Sequence, residues 1–139
     1  MNYMLWSDRL AQKYCQKIAN KLSKEEKICA INVYIFDISR GYGKGRRVNP
    51  FTLERKKKGT VVIPSWARKK GKYYLIYYTI HEIAHVILDE GKKNIKHNIE
   101  FKQLEDRLLK RYNLSIKRKK IYPYAIYYKK ALVYNERVS

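Results

Sequence analysis

The sequence predicts a small α+β domain: an N-terminal helix, a short β-sheet, a buried helix carrying His81-Glu82-Ile83-Ala84-His85, and a following helix that brings in a third histidine. Three observations predict it. The chain has 139 residues, one domain's length and enough to bury a core without staples. Apolar residues recur at helical spacing in three segments, and two shorter stretches are rich in β-branched and aromatic types. The run Tyr73–Leu88 is almost uncharged, as a helix at the centre of a domain must be.

Residues 2–22 read as an amphipathic helix, with Trp6, Leu10, Tyr14, Ile18 and Leu22 at four-residue spacing and Ser7 as a candidate cap. Ser23–Lys27 is a polar connection, and residues 29–38 read as a strand. The stretch Gly41-Tyr42-Gly43-Lys44-Gly45-Arg46-Arg47 matches neither phosphate-binding glycine spacing and is expected to be a flexible turn open to DNA. Val48–Lys58 is polar and basic, a loop or a short intervening strand, and residues 59–63 form a second strand ended by Pro64. The motif helix, 72–90, follows Gly71 and stops at Gly91. A third helix covers 97–112. At 100° per residue His97, Phe101, Leu104 and Leu108 fall within about 60° of each other, so His97 lies on its apolar edge. In the tail Tyr122–Tyr128 is expected to form a strand or pack over the core, and Pro123 argues against a central strand. The chain therefore divides into a body, 1–114, and a basic, tyrosine-rich C-terminal extension, 115–139.

The chemistry lies in the pentapeptide. On a helix His81 and His85 stand one turn apart on one face, so both imidazoles can reach one metal ion at about 2.0–2.1 Å. Glu82 sits beside them, placed to take a proton from an activated water. The chain has three histidines, and the third, His97, follows at a distance that suits a third ligand. Its ordinary alternative is a histidine at a helix start or on the surface. Glu105, twenty residues after His85, is a rival ligand at the gluzincin spacing; it ranks below His97 because it lies beside the apolar stripe, and Glu100 ranks below both. The metzincin pattern is not met, since Leu88 and Gly91 stand where its glycine and third histidine belong. Asp89, one turn after His85, either orients a ligand histidine or is a solvated carboxylate at the helix end.

Charge is the second signal. Lys plus Arg number 32 against 12 for Asp plus Glu, a formal net charge of +20, which attracts polyanions. DNA, single- or double-stranded, is the expected partner, with Arg46, Arg47, Lys56 and Lys57 and the run Lys117, Arg118, Lys119, Lys120 as candidate contacts. Fourteen tyrosines interleave with the basic residues and offer stacking surfaces for unpaired bases. Cys15 and Cys29 form no zinc ribbon and read as free thiols. No membrane span and no secretory signal is expected, which suggests a cytoplasmic or nucleoid-associated protein.

With these residues in hand the chain resembles the SprT-like (Spartan-type) zinc metallopeptidase domain over about residues 31–109. The likeness rests on a strand followed by a Gly/Arg turn, the strand Gly59–Ile63, the motif His81-Glu82-Ile83-Ala84-His85, and His97-Asn98-Ile99-Glu100-Phe101, which is similar to the family's H-G-x-x-F element. The resemblance implies a compact zincin-like α+β fold, Zn²⁺ on three histidines, a catalytic glutamate and proteolysis often linked to DNA. Asn98 stands where the family has glycine; asparagine tolerates positive φ better than most residues. The cysteine-based zinc ribbon of some members is missing from this sequence. The expected function is a DNA-associated zinc metallopeptidase acting on a protein substrate, with the Thr60–Ile63 strand binding the substrate backbone at a sheet edge. The alternatives are a non-catalytic nucleic-acid-binding module with a structural zinc site and, less favoured, a protein-directed peptidase whose basic surface never meets DNA.

Overall fold

The computed structural model describes residues 7–91, 97–119 and 122–136. It is a small α+β domain of four helices and two three-stranded sheets. Helix α1 (Asp8–Glu25) leads to β1 (Ile31–Phe36), β2 (Tyr42–Lys44) and β3 (Gly59–Pro64). A short α2 (Ser65–Lys69) precedes α3 (Lys72–Glu90), then α4 (Ile99–Lys110) and the strands β4 (Leu114–Lys119), β5 (Tyr122–Tyr128) and β6 (Ala131–Asn135). The first sheet has the order β1-β3-β2, with β1 parallel and β2 antiparallel to β3. The second is an antiparallel meander, β4-β5-β6.

Helix α3 is the axis of the molecule, with its residues from Tyr74 to Ala84 all buried. A helix apolar on every side satisfies itself only when other elements surround it. Helices α1, α2 and α4, the β3 face and the second sheet do so here. Gly71, at φ +105°, turns the chain into α3 from a conformation that side chains rarely adopt.

Helix α1 starts later than the sequence predicts, because Ser7 caps it: its Oγ accepts a hydrogen bond from the Leu10 amide at 3.1 Å. Its buried face is also turned. Ala11, Cys15 and Ala19 join Ile18 and Leu22 inside, whereas Leu10 is exposed. Small residues at the contact let α1 lie close to β1 and α3, so the largest side chains do not mark the inner face. Trp6 and the other residues before Ser7 lie outside the described residues.

The second sheet, built from residues expected to form a C-terminal extension, packs on the core of the body. Leu114 and Ile126 join the same core as α3 and α4, and Tyr73 and Tyr74 of α3 pack on Tyr128 and Tyr134 with ring centroids 5.0 and 4.9 Å apart. The packing has no break near residue 115. Pro123 is tolerated in the middle strand for a local reason. The ladder to β4 is irregular beside its partner Arg118, and β6 begins to pair only at Ala125. Among the described residues nothing on the β6 side pairs with Pro123, so its missing amide leaves no described partner unserved there. Several tyrosines read as stacking surfaces for bases spend their rings in the interior, Tyr74, Tyr77 and Tyr78 among them.

Candidate metal centre

Helix α3 presents His81 and His85 toward the start of α4. The third histidine lies not on α4, where the sequence pattern puts it, but in the turn just before it. Asn98 is the N-cap: its Oδ1 accepts the Phe101 amide at 3.0 Å, with φ −86° and ψ −173°. Asn98 thus occupies extended backbone and caps α4; no positive φ is involved. Capping fixes the turn, and the turn carries His97 over α3.

The three imidazoles converge. His97 Nε2 lies 3.0 Å from His85 Nε2 and 3.1 Å from His81 Nε2. Tetrahedral ligand nitrogens at about 2.05 Å from a metal stand about 3.3 Å apart, so these separations fit three ligands of one ion. Imidazoles suit several divalent first-row metals. Burial and the nearby His81 push the His97 pKa down, which keeps the neutral, metal-binding form. Phe101 forms the floor of the cluster, its ring centroid 4.9, 4.5 and 4.9 Å from those of His81, His85 and His97.

Glu105 is no rival ligand. Its Oε2 meets His81 Nδ1 at 2.5 Å, on the side of the ring away from the cluster. Its other oxygen accepts from Arg118 Nη2 at 2.7 Å, and Arg118 also pairs with Asp106. Glu105 is fully buried, and its two partners hold its carboxyl below the usual carboxylate range despite the burial that opposes this. A carboxylate on Nδ1 fixes the tautomer that leaves the Nε2 lone pair for a metal. Neither the orienting role of Glu105 nor the part played by Arg118 was visible in the sequence, because the partners are thirteen residues apart on different elements.

Glu82 is buried beside the histidines, and burial lifts its carboxyl pKa to about 7, against the pull of His81. It lines a cleft of about 280 Å³ with the three histidines, Tyr77 and Tyr78. The opposite wall is β2 and its flanks. The glycine-rich segment there is an ordered edge strand, not a flexible turn. Gly41, Gly43 and Gly45 all face inward. A Cβ at Gly43 would overlap the Glu82 carbonyl, so only glycine lets this strand press against α3 at Glu82. The Tyr78 hydroxyl accepts the Gly41 amide at 2.9 Å, and Asp89 accepts the Gly45 amide at 2.6 Å. Asp89 therefore anchors the edge strand and Arg47; it orients no histidine. The strand Thr60–Ile63 is the central one, paired on both sides, so among the described residues the edge without a strand partner at the cleft belongs to β2.

The basic residues fall into two sets. Arg46 clamps Glu90 through Nε and Nη2 at 3.0 and 2.8 Å, Arg47 pairs with Asp89 at 3.1 Å, and Arg118 is held by Glu105 and Asp106. These three guanidiniums tie elements together inside the chain. Lys56, Lys57, Lys117 and Lys119 are exposed, and Lys120 lies outside the described residues. Among the described residues no helix is long and apolar enough to cross a membrane. Comparison of the chain with protein-family models, with curated proteins and with solved structures finds no match.

Proposed function

We propose that the protein is a zinc-dependent metallopeptidase of the SprT-like kind, associated with DNA through its basic surface. The observation that carries the reading is the convergence of three histidine Nε2 atoms beside a buried glutamate in an open cleft. A structural site tends to close its fourth position and needs no carboxylate next to it. His81, His85 and His97 would hold Zn²⁺, which would supply Lewis acidity at the cleft. Glu82 receives the proton of the attacking water on its carboxylate and passes it to the leaving amine. Glu105, held by Arg118, keeps the His81 ring in place, and the free edge of β2 can hydrogen-bond an extended substrate. Association with DNA is supported by the net charge of +20 and the exposed Lys56, Lys57, Lys117 and Lys119.

The test is a comparison of zinc-loaded wild type and Glu82→Gln on an unfolded protein substrate, with and without DNA. The variant should keep one zinc per chain and lose activity by about 10²–10⁴-fold. Equal cleavage by the two proteins would refute the peptidase reading. The runner-up, a nucleic-acid-binding module with a structural zinc, is favoured by the same excess of charge. It predicts salt-sensitive DNA binding and no cleavage by either protein.

A further inference from the structure

The cleft over the histidines is one-sided in charge. Arg40, Lys44 and Arg47 line it together with Tyr42, and Glu82 is the single carboxylate among the described residues that line it. Arg47 is partly balanced by Asp89 at 3.1 Å. Arg40 and Lys44 are exposed, and among the described residues neither has a carboxylate at ion-pair distance. The Lys44 ammonium instead rests 5.0 Å above the Tyr42 ring. Among the described residues neither Arg40 nor Lys44 has an ionic partner that would explain its presence at the site.

Their placement follows from β2. Inward positions of this strand are glycines, so Tyr42 and Lys44 share the outer face, and Arg40 precedes them at the same two-residue period. One edge of β2 is paired to β3, and among the described residues the other has no strand partner; the flanking Gly41 and Gly45 amides are taken by Tyr78 and Asp89, which leaves Tyr42–Lys44 as the segment open to a peptide. A peptide chain added to that edge would set its alternate side chains directly opposite these residues. Opposite charges at facing positions attract, and like charges repel.

We infer that the cleft takes an acidic, extended peptide, its backbone on the free edge of β2 and its Glu or Asp side chains facing Lys44 and Arg40. This rests on the peptidase reading and adds the class of substrate to it. A nucleic-acid strand also carries negative charge, but its sugar–phosphate backbone has no regularly spaced amide groups to pair with a strand edge, so the combination of strand edge and facing cations favours the peptide.

The test uses zinc-loaded Glu82→Gln and three fluorescein-labelled decapeptides of Gly, Ala, Ser and Leu that differ only in carrying Glu, Gln or Lys at two central alternate positions. Fluorescence anisotropy at about 0.1 M salt should show the Glu peptide bound about tenfold more tightly than the Gln peptide, with the Lys peptide weakest. Adding Arg40→Glu and Lys44→Glu, both at exposed positions, should invert that order while zinc content and the circular dichroism spectrum stay unchanged. Equal affinities, or an order that survives the reversal, overturn the inference. So does a single-stranded oligonucleotide of equal charge that occupies the cleft when the Glu peptide does not. Wild-type cleavage of the same peptides separates this inference from the reading beneath it. Cleavage without charge preference overturns the acidic-substrate inference alone; charge-ordered binding without cleavage overturns the peptidase reading alone.

Discussion

Replacing Arg118 with methionine removes the guanidinium that holds Glu105 while keeping most of the side-chain volume. The Arg118 side chain is 17% exposed and that of Glu105 only 1%, and the bond between them is 2.7 Å long. Stripping the partner from a fully buried charge costs about 3–5 kcal/mol. Here His81 Nδ1 stays in contact at 2.5 Å, so the expected loss is smaller, about 2–3 kcal/mol. Unfolding entropy near 60 °C is about 2.1 cal/mol/K per residue, or about 0.29 kcal/mol/K for 139 residues. The melting temperature should therefore fall by about 7–10 °C. A loosened Glu105 also frees the His81 ring, and zinc affinity should drop about tenfold or more. Thermal melts of the metal-free protein and a competition titration against a chromophoric chelator read the two effects. A double variant, Arg118→Met with Glu105→Gln, leaves no carboxylate stripped of its guanidinium and should be less destabilised than the sum of the single changes. A melting temperature within 2 °C of wild type together with unchanged zinc affinity (about the resolution of the assays) would refute the positioning chain from β4 to His81.

Three further outcomes are expected. His97→Ala should remove zinc from the purified chain, whereas Glu105→Gln should retain it with weakened affinity; elemental analysis distinguishes them, and zinc kept without His97 would exclude the three-histidine site. Gly43→Ala forces a methyl group into the Glu82 carbonyl and should cost about 1–3 kcal/mol in urea unfolding, with activity falling as well; a neutral result would mean that β2 does not press on α3. Glu26, bonded by Arg107 and Arg111, has its pKa lowered from 4.5 to about 2. Because the folded value is depressed, its stabilisation is complete above pH 4.5 and drains away as pH falls toward 2. The full gap corresponds to about 3 kcal/mol, which solvent screening of the half-exposed Arg107 reduces to about 1–2 kcal/mol. Glu26→Gln should thus be less stable than wild type at pH 6 and nearly equal to it at pH 2.5, and an equal deficit at both would contradict the ion pair's role.

What could be read in the chain alone follows one rule: the signal is local. The bounds of α3, from Lys72 to Glu90, are those that the apolar run and its flanking glycines predict, since a helix buried on all sides must be apolar on all sides. His81, Glu82 and His85 share a face because helical geometry puts them there, and His97 was selected by its spacing and by the company of Phe101, which the structure places beneath all three rings. Strands β1 and β3 were legible from their β-branched residues for the same reason. What tertiary structure alone decided is pairing between distant segments. Sheet order made β2, not β3, the free edge at the cleft, because strand neighbours are chosen by packing across the chain. The glycines of β2 looked like a loop until α3 stood against them. Arg46, Arg47 and Arg118 looked like free charges until their carboxylates arrived from elsewhere in the fold, and the second sheet looked like a tail until Ile126 reached the core. A sequence states which groups a residue carries; which of them remain available to a ligand depends on the partners that folding brings within reach.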